Sequence, residues 1–402
     1  MGHMLKRIYD KVLKDHFLNE KNMAFLAGPR QSGKTTTAEL YKPKVSSYWN
    51  WDDVDDRSSL RSSPQRFQES LIKRNSVQPV VLVLDEIHKN KKWKRWLKGF
   101  YDKNQHQYEI IVIGSARLNV FRRGGDSLLG RYYLYRHHPF SIGEIENGAW
   151  ATPLFRNPSK ISTSTFHSLY QFGGFPAPFI SAREVSHNKW LKMRTELLVH
   201  EDLRDFSKIE DLAAVELLTE LLKGRAGGLL NYQNLANDLD VSVDTVRRWI
   251  KILENLYYLY LIPPYSTNIK RALKKTPKVF LWDWSAIEDK GARFENMVAS
   301  HLLKSVHFWT DCGLGNFDLF YVRDKQKREV DFLVTKNKKP FLLAETKTSE
   351  NKPSFPLIHY SNILKPEYSL QVVMNKTPQK KVIAESKPLE IISAQDFCGS
   401  LV

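Results

Sequence analysis

Met23-Ala-Phe-Leu-Ala-Gly28-Pro-Arg-Gln-Ser-Gly33-Lys34-Thr35-Thr36 is the stretch on which the fold turns. An apolar strand, Met23–Ala27, runs into a glycine, four further residues and then Gly-Lys-Thr, the spacing of a phosphate-binding loop. Such a loop lets successive backbone N–H groups wrap phosphate oxygens, and the helix that follows adds the partial positive charge of its N-terminus. The expected phosphate cradle is therefore Gly28, Pro29, Arg30, Gln31, Ser32, Gly33, Lys34, Thr35 and Thr36. Lys34 would reach the β- and γ-phosphates and the Thr35 hydroxyl would ligate Mg²⁺, so ATP with Mg²⁺ is the expected cofactor. A glycine turn that merely opens a helix is the bland alternative; the strand before it and the helix after it weigh against that.

Working outward, Val80-Val-Leu-Val-Leu84 is a second apolar strand, ending in Asp85-Glu86. At a strand's C-terminal edge, Asp85 can hold the Mg²⁺ shell and Glu86 can polarise the attacking water. A third strand, Glu109–Ile113, ends in Gly114-Ser115, which makes Ser115 a candidate γ-phosphate sensor against an ordinary strand-end turn. Leu129-Gly130-Arg131 precedes a strand-like Tyr132–Tyr135 and offers Arg131 as a finger on a neighbouring subunit's γ-phosphate, with Arg117, Arg122 and Arg123 as competitors. A finger acting between subunits implies a homo-oligomer. In His88–Tyr101, Trp93, Trp96, Leu97, Phe100 and Tyr101 recur at helical spacing. This predicts an amphipathic helix packed on the sheet; base stacking is the competing reading.

The 402 residues include 61 Lys plus Arg against 44 Asp plus Glu, a net charge of +17, which favours an acidic partner, most simply nucleic acid. With 42% hydrophobic and 26% charged residues the composition is globular, and the length suggests two or three domains. Two cysteines, Cys312 and Cys398, make no disulfide framework, so a reducing, cytoplasmic setting is expected. No apolar run approaches the ~18 residues of a membrane span, and no membrane partner is expected.

Beyond the turn-rich Pro139–Pro158, helical patterns over Lys189–Arg204 and Asp211–Lys223 predict a small lid. Tyr232–Leu239, a turn at Asp240–Ser242 and Val243–Tyr257 lay out a helix-turn-helix with Val246, Ile250, Leu253 and Tyr257 facing inward. Thr245, Arg247, Arg248 and Lys251 face out, as on a helix that enters a major groove. Strands at Tyr258–Ile262 and Lys278–Trp282 would form a wing. Between Pro264 and Phe280 lie five basic residues and no acidic one, so Lys270, Arg271, Lys274 and Lys275 are candidate phosphate contacts. A protein-docking role for the same module stays open.

In the last third, Gly291–Leu303 reads as a helix carrying Glu295, and Glu329–Thr335 and Pro340–Lys347 as strands joined by Lys336–Lys339. If the hairpin centres on Lys338, Asp331 lies opposite Glu345, and Lys347 shares the face of Glu345. Two carboxylates and a lysine suit metal-assisted phosphodiester hydrolysis: Asp331 and Glu345 hold Mg²⁺ or Mn²⁺, Lys347 steadies developing charge, and Glu295 is a third candidate ligand. An ordinary hairpin with a charged solvent face is the alternative.

Together, GPRQSGKTT at Gly28–Thr36, VLDEIHK at Val83–Lys89, LLGR at Leu128–Arg131 and VSVDTVRRWIKILENLY at Val241–Tyr257 carry a family resemblance, joined by PPYSTNIKRALKKTPKVFLWD at Pro263–Asp283, FENMVA and VDFLV…AETK. The chain resembles prokaryotic AAA+-type P-loop ATPases with a winged helix and a C-terminal domain of unknown function with a PD-(D/E)XK nuclease-like fold. The resemblance implies an α/β chain: a P-loop parallel-sheet domain over residues 1–150, a helical lid over 151–225, a winged helix over 226–285 and a nuclease-like domain over 286–402. It places Asp331, Glu345 and Lys347 on the nuclease motif and Glu295 on its helical acid. The expected activity is ATP-dependent action on DNA, with metal-dependent cleavage under nucleotide control; a nucleotide-switched scaffold that binds DNA or protein is the alternative.

Overall fold

The computed structural model describes residues 5–41, 46–75, 81–105, 107–114, 128–147, 154–155, 161–198, 203, 211–266, 276–349, 352–375, 380–384 and 387–402. The chain forms two compact units, Met1–Pro139 and Phe140–Val402.

The first unit is a parallel sheet of β1 (Met23–Ala27), β2 (Ser46–Asn50), β3 (Val81–Asp85), β4 (Glu109–Gly114) and β5 (Tyr132–Arg136). Their spatial order is β2-β3-β4-β1-β5 and every pairing is parallel. Strands β1 and β3 are buried along their whole length, which is why they read as unbroken apolar runs rather than alternating ones. Helices α1 (Ile8–Asn19), α2 (Lys34–Leu40), α3 (Val54–Arg61), α4 (Pro64–Asn75) and α5 (Trp93–Asn104) accompany the sheet. The aromatic stripe of α5 belongs to the core: Trp93, Trp96, Leu97, Phe100 and Tyr101 are all buried, and Trp96 stacks on Phe100 at 5.6 Å. Helix α5 begins later than its periodicity suggests because Ile87–Lys89 closes into a single tight turn after β3.

The second unit opens with helices α6 (Ile142–Asn147), α7 (Thr163–Phe172), α8 (Pro176–Ser181), α9 (Glu184–Leu197) and α10 (Leu212–Lys223). Helix α9 starts ahead of the expected Lys189; Arg204 lies outside the described residues. Next come α11 (Tyr232–Asp238) and α12 (Val243–Asn255), with Ser242 capping α12 by accepting from Thr245 N. Val246, Ile250, Leu253 and Tyr257 are buried. An antiparallel pair follows, β6 (Leu259–Ile262) and β7 (Lys278–Leu281).

Hydrogen bonds continue beyond that pair along the outer edge of β7 and just past the end of β6. On the β7 side, Gly227 N donates to Val279 O at 2.8 Å and Val279 N to Gly228 O at 3.0 Å. Asn296 takes the place of a further strand residue, accepting from Leu281 N at 2.8 Å and donating to Leu281 O at 2.7 Å. Past β6, Tyr265 N donates to Tyr321 O and Tyr321 N to Pro263 O, at 2.7 and 3.1 Å.

The remainder is a long helix, α13 (Lys290–Asp311), then strands β8 (Phe317–Arg323), β9 (Glu329–Lys336) and β10 (Lys339–Lys347), helix α14 (Phe355–Leu364), and strands β11 (Tyr368–Val373), β12 (Lys380–Ala384) and β13 (Lys387–Ser393). The sheet order is β12-β13-β11-β10-β9-β8; β8, β9 and β10 form an antiparallel meander, while β11 is parallel to β10 and to β13. The chain closes with a short helix, α15 (Ala394–Ser400). Helix α13 buries Phe294, Met297, Val298, Leu302, Val306 and Trp309. Among its interior polar residues are Lys304 and His301. Lys304 Nζ pairs with Glu144 Oε2 of α6 at 2.5 Å, both side chains essentially inaccessible. His301 uses Nδ1 on Met297 O at 2.8 Å and accepts from Ile142 N on Nε2 at 3.1 Å.

Candidate nucleotide site and the acid cluster of the second unit

The phosphate loop leaves β1 at its C-terminal end, where parallel α/β sheets place their ligands. Two residues carry the left-handed backbone that the turn demands, Gln31 with φ 61° and Gly33 with φ 93°, the latter opening α2. Lys34 is buried and its Nζ donates to Gly28 O and Pro29 O, at 3.0 and 2.7 Å, so the ammonium already sits inside the loop. Thr35 Oγ1 donates to Asp85 Oδ2 at 3.3 Å, joining the loop to the end of β3, and Tyr48 OH donates to the same oxygen at 2.5 Å. Burial holds Asp85 above the usual carboxylate range despite those hydrogen bonds. Glu86 has φ 53°, and His88 Nε2 lies 3.3 Å from its Oε2. Burial first, and then the neighbouring Asp85 charge, push Glu86 up to about 6. Thr35 and Asp85 thus bring a hydroxyl and a carboxylate together at the end of β3, a pair that could hold Mg²⁺, with Glu86 the next residue. The donor set fits the cofactor: a glycine-lined cradle, one lysine, one hydroxyl and one carboxylate.

Behind the loop stands a brace that motif reading missed. His137, fully buried just beyond β5, puts Nδ1 3.1 Å from Ser32 Oγ and Nε2 3.0 Å from Thr37 Oγ1. Tyr9 stacks on it with centroids 4.3 Å apart. The buried Arg7 donates to Ser32 O and to His138 O, each at 2.6 Å. A His-His pair after a strand carries no spacing signal, and an arginine before the first helix carries none either.

Of the remaining nucleotide-site expectations, Ser115 lies outside the described residues, as do Arg117, Arg122 and Arg123. Arg131 is engaged with Asp102 of α5 through Nε at 2.6 Å and a terminal nitrogen at 3.1 Å.

In the second unit Arg247, Arg248 and Lys251 are exposed on α12 and Thr245 is half-buried. The Arg247 guanidinium lies over the Tyr232 ring, 4.7 Å from its centroid, and Lys251 pairs with Glu254. Lys270, Arg271, Lys274 and Lys275 lie outside the described residues.

The hairpin turns at Asn337-Lys338 and pairs Lys336 with Lys339 and Thr335 with Pro340, so it does not centre on Lys338; an irregularity between Pro340 and Leu342 then shifts the register to Leu342↔Val334, Leu343↔Leu333 and Ala344↔Phe332, which continued by one residue sets Glu345 against Asp331. Lys347 Nζ lies 2.9 Å from Glu345 Oε1, and Glu345 Oε2 is buried without a hydrogen bond. Burial first, then Asp331, raise the Glu345 carboxyl. Asp331 turns elsewhere. Its Oδ2 accepts from Thr346 N and Thr346 Oγ1, at 2.9 and 2.7 Å, and its Oδ1 lies 3.3 Å from the Nζ of Lys278. The same ammonium lies 3.0 Å from Glu295 Oε1 and 2.7 Å from Glu329 Oε1, while Arg323 holds Glu329 Oε2 at 2.7 Å. Burial alone would depress the lysine, but Glu295, Asp331 and Glu329 outweigh it and hold the ammonium charged. Burial, then Asp331, push Glu295 up to about 8 against the pull of Lys278. Among the described residues no group of three or more His, Cys, Asp or Glu is arranged to hold a metal ion. As the side chains stand, Asp331 and Glu295 do not fit a divalent cation, because an ammonium occupies the point on which their oxygens converge.

Residues 20–146 match the family described as "AAA domain", and together with the loop geometry they make this part of the chain an AAA-type P-loop ATPase domain. Residues 163–287 match "Domain of unknown function (DUF8612)" and residues 290–391 "Domain of unknown function (DUF4143)". Similar proteins include uncharacterized ones from Mycobacterium tuberculosis (strain ATCC 25618 / H37Rv), 21% identical over 83% of this chain and 72% of that protein, and from Haemophilus influenzae, 22% identical over 77% and 79%. An uncharacterized protein of Methanocaldococcus jannaschii is 24% identical over 69% of this chain and 64% of its own length. Among solved structures, AMPPCP-bound DnaA from Aquifex aeolicus overlaps 61% of this chain and 86% of its own at 13% identity, with a TM-score of 0.30. No helix of the described residues is long and apolar enough to cross a membrane.

Proposed function

We propose that the protein is an ATP-hydrolysing switch that acts on DNA through its second unit, in which the C-terminal domain is nuclease-like in fold and serves as a grip. The observation that carries hydrolysis is the joining of Thr35 to Asp85 at 3.3 Å with Glu86 next in sequence at the end of β3. In use, Lys34 leaves the loop carbonyls for the β- and γ-phosphates, and Glu86 takes the proton of the water that attacks. Thr35 and Asp85 would hold Mg²⁺, which when bound would neutralise charge on the phosphate oxygens. Support for DNA is the exposed Arg247 and Arg248 on the second helix of a helix-turn-helix followed by a β-pair, in a chain of net charge +17. Support for a grip rather than a cutter is Lys278 at the acid cluster.

The test is ATP turnover with and without duplex DNA, beside DNA binding measured at several salt concentrations. Lys34→Ala should abolish turnover. The pair Arg247→Ala, Arg248→Ala should weaken DNA binding and flatten its salt dependence. Unchanged DNA binding in that pair would remove α12 from the interface.

A second reading, metal-dependent cleavage, is favoured by one observation: the carboxylate of Glu345 lies beside Lys347 on the β9–β10 hairpin. Cleavage of linear or supercoiled DNA with Mg²⁺ or Mn²⁺ that is lost in Lys347→Ala would establish it.

A further inference from the structure

Lys278 opens β7, 53 residues before Asp331, yet its ammonium reaches a carboxylate on α13 and two on β9. Its side chain is 5% exposed. Two of the three oxygens not turned toward it are already committed: Asp331 Oδ2 to Thr346 and Glu329 Oε2 to Arg323. The neighbouring backbone is built close around the same group. Gly227 has φ +79°, and a Cβ there would fall 2.9 Å from Glu295 Oε2, so the strand-like segment 227–229 can pack against β7 and the acid only as glycine at that point.

We propose that Lys278 is the resident cation of this cluster: it stands in the place of a divalent metal, excludes one, and fastens the β6–β7 pair to the C-terminal domain. The inference deepens the proposed function, since it takes that domain as nuclease-like and gives the physical reason why it grips without cutting. A cation of +1 bonded through N–H to three carboxylates satisfies them directionally, whereas a metal would need the same oxygens and would meet the ammonium as a like charge.

Calorimetric titration of Mn²⁺ into the nucleotide-free full chain tests this. The wild type and Asp331→Asn are expected to give the same isotherm, because Asp331 holds no metal in either. Lys278→Met is expected to gain one Mn²⁺ site, at least tenfold tighter than any uptake by wild type, and Lys278→Met/Asp331→Asn to lose it. Wild-type uptake that falls in Asp331→Asn overturns the proposal, as does a folded Lys278→Met protein that takes up no more Mn²⁺ than wild type. Should Lys278→Met not fold, the comparison of wild type with Asp331→Asn decides alone. ATP turnover and DNA binding, read on the same proteins, report separately on the proposed function.

Discussion

The carbonyl oxygen of His137 stands where a side chain on Gly28 would have to go: a Cβ at that position would lie 2.1 Å from it. The first glycine of the phosphate loop is therefore required by the strand that passes behind it as much as by the phosphates in front. Since His137 N also donates to Ala27 O at 2.7 Å, the two segments cannot simply slide apart. Gly28→Ala is expected to cost about 1–3 kcal/mol of stability and to weaken ATP binding at least tenfold. Thermal denaturation alongside nucleotide titration checks this; a variant with wild-type melting and affinity would mean that the contact relaxes freely.

Hydrolysis should depend on the ionised form of Glu86, whose carboxyl is raised to about 6 by burial and by Asp85. ATP turnover is therefore expected to fall as the pH drops through about 6, while nucleotide binding persists. Glu86→Gln should retain binding and lose on the order of 10²–10⁴ in turnover. A pH profile flat from 5 to 8 in wild type would dismiss Glu86 as the base.

Burial pushes His301 down to about 4 from 6.5, outweighing its bond to Met297 O. In that window the unfolded chain binds a proton that the folded chain refuses, so stability is lost as the pH falls from 6.5 to 4. The loss attributable to this residue is on the order of 3 kcal/mol. His301→Gln, which can still donate to Met297 O and accept from Ile142 N, should lack this component. Urea denaturation of both proteins at pH 7 and pH 5 isolates the difference.

The Lys304–Glu144 pair is closed off from solvent on both sides. Lys304→Met should cost about 3–5 kcal/mol by stranding a carboxylate, while Lys304→Met with Glu144→Leu should recover most of it. A double variant no more stable than the single one would show that the pair contributes through its own attraction rather than by neutralising a buried charge.

Much of the nucleotide site was legible because a phosphate loop is local: Gly28 to Thr36 and Asp85-Glu86 are set by spacing within single strand–turn units. The hairpin of β9 and β10 was legible only in part: its turn pairs Lys336 with Lys339, so it does not centre on Lys338, and the facing expected for Asp331 and Glu345 comes from the irregularity between Pro340 and Leu342, which shifts the pairs beyond it by one residue and carries no signal in sequence. What escaped was assembled from distant segments. Lys278 reads in sequence as one more basic residue of a basic wing, and only the docking of β7 beside β9 and α13 gives it three carboxylates. Arg7 and His137 were hidden likewise, because each acts on the phosphate loop from a different part of the chain. The aromatic helix went the other way: its periodicity already favoured burial, and the core contains it.

Asn296 has a further consequence for how other molecules can approach the β6–β7 pair. An exposed strand edge is an open row of donors and acceptors on which a foreign peptide can extend the sheet. Here a single side-chain amide completes the end of one edge, the 227–229 segment occupies the rest of it, and Tyr321 closes the chain beyond the other strand. Recognition by strand addition is thereby foreclosed along these stretches, and whatever meets this part of the surface, nucleic acid or protein, has to read it through side chains.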